Sequence, residues 1–173
     1  YNQNGLFLYV KNIIKKLKNK NIILHNSSLT TGVNFHFQTI KKLIRLFPNI
    51  IGLYENGKDF SLINILKNNF ENFKIFLPED LEYALDNKID GIVSISSLVF
   101  KDDLNTIIDD YNNNFKNTLL INYLLFVHEI LSFSNNSTLF KAYLKRLGYI
   151  SMEVRLPLVI EQSDIDNLDF LLS

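Results

Sequence analysis

The chain has 173 residues, 47% of them hydrophobic, and its 18 basic and 18 acidic residues give a formal charge of zero. A neutral chain of this length fits one globular unit that buries about 70% of its unfolded surface, and its charge gives no attraction for nucleic acid or an anionic membrane. The lack of cysteine excludes disulfides, thiolate catalysis and cysteine-bound zinc. Because no signal-peptide pattern follows Tyr1 and no run of about 18 apolar residues occurs, we expect a cytoplasmic protein that does not bind membranes.

Apolar runs bounded by turn residues predict four short strands, at residues 21–25, 50–54, 74–77 and 90–95. Amphipathic spacing predicts helices over residues 6–18, 35–47, 60–69 and 81–85. Asp59 is placed to cap the third of these helices. The predicted inward faces are Val10, Ile13, Ile14 and Leu17 in the first helix, and Leu62, Ile65, Leu66 and Asn69 in the third.

Beyond residue 99 the sequence changes character, because helical periodicity continues but no further strand is predicted. The expected helices cover residues 104–111, 119–133 and 138–147. They are followed by an extended segment over 152–160 and one last helix over 164–172. The chain therefore divides into a strand-and-helix region, residues 1–99, and a region of C-terminal helices with a closing segment, residues 100–173.

Short, wholly apolar strands that alternate with amphipathic helices predict a parallel sheet covered by helices. Such a sheet is either open and doubly wound or part of a barrel. No strand is followed by Gly-x-Gly-x-x-Gly or Gly-x-x-x-x-Gly-Lys, so a nucleotide cofactor has no support and the barrel is favoured.

The most distinctive stretch is residues 50–59, with the sequence IIGLYENGKD. It resembles the sixth barrel strand of the dihydrodipicolinate synthase and N-acetylneuraminate lyase family. Further similar pieces occur in the family's order: residues 1–6, Asn26 with residues 31–33, residues 91–94, residues 141–142 with 147–148, and residues 155–158. Of these, Thr-Gly-Val and Arg-Leu-Pro-Leu are more similar to the synthase. The resemblance implies the C-terminal half of a TIM (β/α)8 barrel, four parallel strands with helices, plus a C-terminal helical extension.

The resemblance also assigns the site residues. Tyr54 stands where the family has the lysine that forms a Schiff base with pyruvate, and His25 stands where it has a proton-relaying tyrosine. Thr30 takes the place of the arginine that holds the aldehyde substrate's carboxylate, and Val93 matches the position whose backbone contacts pyruvate. A phenol has no primary amine, so Tyr54 cannot form an imine.

Two functions follow as expectations. The first is a fragment or decayed copy of the synthase, which condenses pyruvate with aspartate semialdehyde in lysine biosynthesis and belongs to the class I aldolase-type lyases. The second is a non-catalytic or regulatory subunit that pairs with an active homologue or a separately encoded half. Because four strands leave two sheet edges open, we expect a homo- or hetero-oligomer or a missing N-terminal half.

Other chemistry has less support in the sequence. His25 and Tyr54 could act as an acid and base pair, or simply satisfy each other at the barrel mouth. Lys58 could supply the missing amine, but it lies in an exposed loop. We expect no metal and no cofactor, because His25, His36 and His128 are far apart and show no paired spacing.

Overall fold

The computed structural model describes residues 2–17, 19–78, 80–133, 137–150, 154–156, 158–159, 162–163 and 166. The chain divides into two units, Tyr1–Ser94 and Ile95–Ser173. The first contains α1 (Gln3–Ile14), β1 (Ile22–Asn26), α2 (Ser28–Thr31), α3 (Phe37–Leu46), β2 (Ile50–Glu55), α4 (Phe60–Asn69), β3 (Lys74–Leu77), α5 (Leu81–Asp86) and β4 (Gly91–Ile92). The second contains a short 3-10 helix (Ser96–Leu98), α6 (Lys101–Asn112), α7 (Thr118–Phe133) and α8 (Ser137–Arg146).

The strands of the first unit form one parallel sheet in the order β1-β2-β3-β4. One cross-strand row runs His25, Tyr54, Phe76, Gly91, each residue being the register partner of the next. Two parallel strands that are neighbours in both sequence and sheet need a crossover connection between them. Helices α3, α4 and α5 provide these connections. The predicted α/β architecture of four parallel strands with helices is confirmed.

The core of the first unit lies between one face of the sheet and the helices. Leu53, Ile75 and Leu77 on that face are fully buried with Ile40 and Leu43 of α3. The other face carries His25 and Tyr54, whose rings are in contact. Since side chains alternate along a strand, His25 and Tyr54 lie on the opposite face from Leu24 and Leu53, and we call this second face the inner face.

Two predicted helix faces differ from the structure. In α4 the buried side chains are Leu62, Ile63 and Leu66, whereas Ile65 is 43% exposed. The prediction was wrong because Ile63 and Ile65 lie on either side of the Leu62 and Leu66 stripe, and the core packs on the side of Ile63. In α1 only Ile14 is buried, with Phe7 and Val10 packed against the core, and Ile13 and Leu17 are exposed.

Element limits differ more at the ends of the first unit. The fourth strand was predicted over residues 90–95 but covers only Gly91–Ile92, because after Val93 donates its N–H to the Leu77 carbonyl the chain leaves the sheet. The first helix begins and ends earlier than predicted, and α2 forms between β1 and α3, where no helix was predicted. The Asp59 cap is confirmed, since its carboxylate accepts a hydrogen bond from the Leu62 N–H.

The second unit has its own buried residues on α6, α7 and α8, including Ile107, Ile121 and Leu124. The ring of Phe100 stacks on Tyr143 and meets Tyr123 edge-on. All three predicted helices of this region are present. The extended segment predicted over 152–160 and the helix predicted over 164–172 fall largely outside the described residues.

Gly52 is required by the close approach of β2 to β3. A Cβ at this position would lie 2.5 Å from the carbonyl oxygen of Lys74, a backbone atom that cannot turn aside. We expect Gly52→Ala to lower the free energy of unfolding by about 2 kcal/mol, as overpacked sites do. Gly5→Ala is the matched control: its Cβ would have nothing within 4 Å, and helix α1 should gain about 0.5 kcal/mol. Urea unfolding of both variants checks the prediction, which fails if Gly52→Ala is neutral.

Asp90 joins the amino-terminal ends of β3 and β4. Burial raises the pKa of its carboxyl group, but hydrogen bonds from Lys74 and from the Ile75 N–H, with the charges of Lys74 and Lys67, outweigh burial and hold the pKa below its ordinary value. A carboxylate with a lowered folded pKa stabilises the protein above its unfolded pKa, and that contribution is lost as the pH falls through the folded pKa.

We therefore expect Asp90→Asn to lower stability at neutral pH by about 1 kcal/mol or less, since Lys74 is exposed. The difference from the unchanged chain should shrink toward pH 3. Thermal melting from pH 3 to pH 7 measures this, and a difference independent of pH would contradict it.

Candidate functional site

The candidate site lies at the carboxyl ends of β1 and β2, where parallel α/β proteins place their binding and catalytic residues. His25 and Tyr54 are register partners there, and their rings stack with centroids 4.9 Å apart and an angle of 29° between the planes. His25 is exposed and Tyr54 is half-buried. The structure thus brings together two of the predicted site residues, as a ring stack.

Burial raises the pKa of the Tyr54 phenol above its ordinary value of 10.0. At neutral pH the phenol is therefore protonated and acts as a hydrogen-bond donor or acceptor. It offers neither an amine nor a phenolate nucleophile. As a tyrosine, residue 54 can hold a polar group of a ligand or orient His25.

A buried polar pair lies directly behind the ring stack, on the helix-covered face. The Asn26 Nδ2 donates a hydrogen bond of 2.6 Å to Oε2 of Glu55, and both residues are almost completely buried. The other carboxylate oxygen of Glu55 accepts from the backbone N–H of Gly57 at 2.7 Å. Each oxygen of this buried carboxylate therefore has a donor, as burial of a charged group requires.

The orientation of the Asn26 amide is fixed by its second partner. Oδ1 of Asn26 accepts the N–H of Phe35 at 2.8 Å, so Nδ2 must face Glu55. The Asn26 carbonyl also accepts the N–H of Asn56. Asn26 and Glu55 therefore hold the loops that follow β1 and β2, which we call the mouth loops, against the strand ends. The Asn26 amide cannot turn over, because its oxygen and its nitrogen each have a fixed partner.

The part of the rim around Ser27 is built from neutral hydroxyl and amide groups. Thr30 lies at an exposed position in α2, and its Oγ1 is 3.0 Å from Oγ of the buried Ser27. Asn56 donates from Nδ2 to the same Ser27 oxygen at 3.2 Å. The predicted substrate position Thr30 is thus near the strand ends but carries no charge that could pair with a carboxylate.

One cation lies in the loop after β2. Lys58 has a left-handed backbone with φ of 54°, and its Nζ is 3.0 Å from Oδ2 of Asp80. Asp80 in turn caps α5 by accepting the Tyr83 N–H. The Lys58 ammonium is therefore exposed and ion-paired with a carboxylate.

Val93, the predicted backbone contact, follows β4 and is 53% exposed. Its N–H is used in the sheet, where it donates to the carbonyl of Leu77 at 2.8 Å. A backbone contact with a ligand would therefore fall to its carbonyl group.

The residues that the sequence reasoning missed are Asn26 and Glu55 as a pair, with Ser27 and Asn56 beside them. A signal for the pair does exist in the sequence. A strand period of two puts Asn26 on the face of Leu24, and Glu55 on the face of Leu53, so both polar groups fall on the buried side. Two polar residues buried on neighbouring strands predict a hydrogen bond between them.

Within the part of the chain that the structure describes, no group of three or more histidine, aspartate and glutamate side chains could hold a metal ion. Over those same residues, none of the helices is both long and apolar enough to cross a membrane.

Four sequential parallel strands, with polar side chains where β1 and β2 end, define a half-barrel of the α/β class. The chain belongs to the dihydrodipicolinate synthetase family, whose model matches residues 1–169. The resemblance found in the sequence, and the partial TIM barrel it implied, are confirmed.

Curated relatives are similar over nearly all of the chain. The 4-hydroxy-tetrahydrodipicolinate synthase of Thermosipho africanus is 30% identical over 166 residues, which cover 91% of this chain and 56% of the relative. The enzyme of the same name from Karelsulcia muelleri is 31% identical over 167 residues, which cover 91% of this chain and 55% of the relative. The chain therefore spans little more than half the length of the relatives it matches.

Solved structures share the fold. A dihydrodipicolinate synthase of Bacillus anthracis superposes with a TM-score of 0.88 and 21% identity, covering 99% of this chain and 60% of that one. An N-acetylneuraminate lyase of Fusobacterium nucleatum gives a TM-score of 0.84 and 21% identity, covering 99% of this chain and 60% of that one. The chain therefore has the fold of a part of each of these structures.

Proposed function

We propose that this chain is a decayed relative of the 4-hydroxy-tetrahydrodipicolinate synthases that does not form a Schiff base by itself. The single observation that carries the proposal is the phenol of Tyr54 at the carboxyl end of β2. The resemblance places the family's reactive lysine at this position, and a protonated phenol cannot attack a ketone to form an imine.

The rest of the mouth supports the same proposal. Schiff-base chemistry at neutral pH needs an amine whose pKa is lowered by burial or by a neighbouring cation. The loops that follow β1, β2 and β3 contain one lysine, Lys58, and its partner is the carboxylate of Asp80. Its ammonium is exposed and paired with a carboxylate, so it has neither the burial nor the neighbouring cation that activates an amine.

The neutral rim points to altered ligand binding as well. The aldehyde substrate of the synthase reaction carries a carboxylate. The resemblance places Thr30 where the family has the arginine that holds this carboxylate. Hydroxyl and amide groups at Ser27, Thr30 and Asn56 offer hydrogen bonds but no charge. We infer weak or no selection for a second carboxylate, while a pyruvate-like ligand remains the candidate for the position beside Val93.

The test is reductive trapping of the purified chain with pyruvate and sodium borohydride, followed by intact mass measurement. The expected result is an unchanged mass for a sample whose circular dichroism shows a folded protein. A stoichiometric adduct on any lysine would overturn the proposal. Peptide mapping would then identify that lysine, and Lys58→Met would show whether the loop amine had replaced the missing one.

The second candidate is a regulatory subunit that pairs with an active homologue, favoured by Tyr54, because a chain without the Schiff-base amine could act only by changing the rate of a chain that has it. A subunit of this kind would change the rate of an active synthase when mixed with it. Assay of a full-length synthase with and without a molar excess of this chain tests the idea. An unchanged rate together with no co-elution would exclude it.

A further inference from the structure

The charges of this neutral chain are unevenly distributed along its sequence. All 18 acidic residues lie at Glu55 or beyond it, whereas eight of the 18 basic residues lie in residues 1–54. The formal charge of zero therefore divides into +8 for residues 1–54 and −8 for residues 55–173. Because association depends on the local field as well as on the total charge, a neutral total leaves room for a charged partner.

The positive charge lies on two neighbouring helices. Gln3, at the start of α1, accepts a hydrogen bond of 2.7 Å from the hydroxyl group of Thr39 near the start of α3. At the other end, Asn49 follows α3 and donates to the carbonyl groups of Leu17 and Lys20, which follow α1. Helices α1 and α3 therefore run side by side in the same direction.

The cations lie on the outer side of this helix pair, away from the core. Residues three or four apart follow one another along a helix, so Lys42 and Arg45 continue from Thr39 along α3. On α1, Lys11 lies two such steps beyond Gln3. The described cations of this region, which we call the basic surface, are Lys11, Lys15, Lys16, Lys20, Lys41, Lys42 and Arg45.

No carboxylate neutralises the basic surface within the part of the chain that the structure describes. Neither of the two ion pairs among those residues involves any of its seven cations. Lys11 and Lys41 hold their ammonium groups over the rings of Phe7 and Phe37, 5.7 and 5.5 Å from the ring centroids. A ring contact leaves the charge in place, so the surface is available to an anionic partner.

Helix α6 carries a surface of the opposite sign. Asp102 and Asp103 lie in its first turn, and Asp109 and Asp110 lie seven residues further on, so the four carboxylates share one side of the helix. We call this side the acidic face. None of the four takes part in an ion pair among the described residues, and Asp110 accepts a hydrogen bond from the neutral amide of Asn117.

We propose that the basic surface of one copy of this chain docks on the acidic face of α6 in a second copy. The two aspartate pairs lie about 10 Å apart along α6, since each residue advances the helix by about 1.5 Å. The axes of two packed helices are also about 8–10 Å apart. An α6 that crosses α1 and α3 of another copy therefore sets one aspartate pair against each helix.

The charge distribution favours this partner over a nucleic acid. The −8 charge of residues 55–173 repels a phosphate backbone, whereas a second copy offers negative charge equal to the positive charge it meets. Exposed ion pairs are individually weak, so the contact depends on several of them together and on low salt.

The first test is the mass of the chain in solution by light scattering, at about 0.01 M and at about 1 M salt. The Debye length is about 30 Å in the first solution and about 3 Å in the second. We expect an apparent mass of at least two chains at low salt, which falls as salt is added. A monomer at low salt, or a mass that does not change with salt, would overturn the proposal.

The second test exchanges the charges of the two surfaces. A Lys42→Glu, Arg45→Glu chain and an Asp102→Lys, Asp109→Lys chain should each stay monomeric at low salt, because each then carries two surfaces of the same sign. Mixed in equal amounts they should associate, since the unchanged α6 of the first chain meets the unchanged basic surface of the second. A mixture that stays monomeric would contradict the proposed contact.

A Lys88→Glu, Lys145→Glu chain is the matched control. It changes the net charge as much as Lys42→Glu, Arg45→Glu does, at two exposed lysines outside the basic surface, and it should still associate. Circular dichroism shows which variants are folded, and the mixing experiment uses only folded chains. If the control is monomeric too, total charge and not the basic surface governs association, and the proposal fails.

A nucleic acid is distinguished by adding a single-stranded oligonucleotide to the unchanged chain at low salt. A monomeric chain that binds it, and loses binding in Lys42→Glu, Arg45→Glu, would identify a phosphate backbone as the partner and overturn the proposal. All of these substitutions lie outside the mouth of the sheet, so the outcome is independent of whether pyruvate is trapped.

Discussion

A Tyr54→Lys chain, incubated with pyruvate and borohydride, is expected to gain the mass of one reduced pyruvate, where the unchanged chain gains none. The lysine would start at the carboxyl end of β2, on the inner face and against the ring of His25. Tyr54 is half-buried, and the burial that raises its pKa would lower the pKa of an amine at the same place. A lysine there should be uncharged often enough to attack the ketone.

Three variants control the experiment. Tyr54→Phe and Tyr54→Gln change the same position without adding an amine, and neither should be trapped. A Tyr54→Lys, Lys58→Met chain should be trapped as well as the single variant, since Lys58 remains bound to Asp80 and takes no part. Absence of an adduct on folded Tyr54→Lys would show that the mouth no longer receives pyruvate.

A Glu55→Gln chain is expected to lose about 2 kcal/mol of unfolding free energy, more than an average surface substitution. Both oxygens of Glu55 accept hydrogen bonds, from Asn26 Nδ2 and from the Gly57 N–H. Glutamine replaces one oxygen with a donor, which must then face another donor in the core. Asn26 cannot turn its amide to compensate, because its Oδ1 holds the Phe35 N–H.

Asn26→Asp should be at least as damaging, because it sets two carboxylates against each other in a buried site. The exchange of both residues, Asn26→Asp with Glu55→Gln, should recover most of the loss. In that chain one oxygen of residue 26 still accepts from Phe35, the other accepts from the new amide, and the amide oxygen accepts from Gly57. The number of hydrogen bonds is unchanged, the bond between residues 26 and 55 is reversed, and the carboxylate has moved to position 26.

Urea unfolding of the four chains forms a double-mutant cycle that measures the coupling between the two positions. We expect an interaction energy of about 3 kcal/mol in favour of the exchanged pair, since the two single losses sum to about 4 kcal/mol and most of that sum should be recovered. If the loss of unfolding free energy in the double variant equals the sum of the two single losses, the two positions are not coupled.

Much of the fold could be predicted because its apolar runs are short and bounded by clear turn residues. β2 and β3 lie where the pattern placed them, and Asp59 caps α4 as its position before an apolar stripe indicated. The errors arise where local pattern and packing disagree. Ile63 and Ile65 are both apolar on α4, and only the sheet beneath them decides that Ile63 is buried.

The site was predictable in position but not in its contacts. That His25 and Tyr54 meet follows from their places at the ends of adjacent strands, whereas the stacking of their rings depends on the register, which shifts between Ile22 and Ile23. Asn26 and Glu55 were not predicted as a pair because each lies at the end of a predicted strand, where a polar residue is also typical of the loop that follows. Their partners Phe35 and Gly57 lie in loops, whose paths depend on tertiary contacts.

The hydrogen bonds that hold the two mouth loops predict slow hydrogen exchange in these loops. Loop amides ordinarily exchange fastest in a protein, because solvent reaches them without unfolding. Here the amides of Phe35, Asn56 and Gly57 end on Asn26 and Glu55, which are buried. These amides should exchange as slowly as those of β2, so ligand choice at this mouth would change through side chains and not through loop movement.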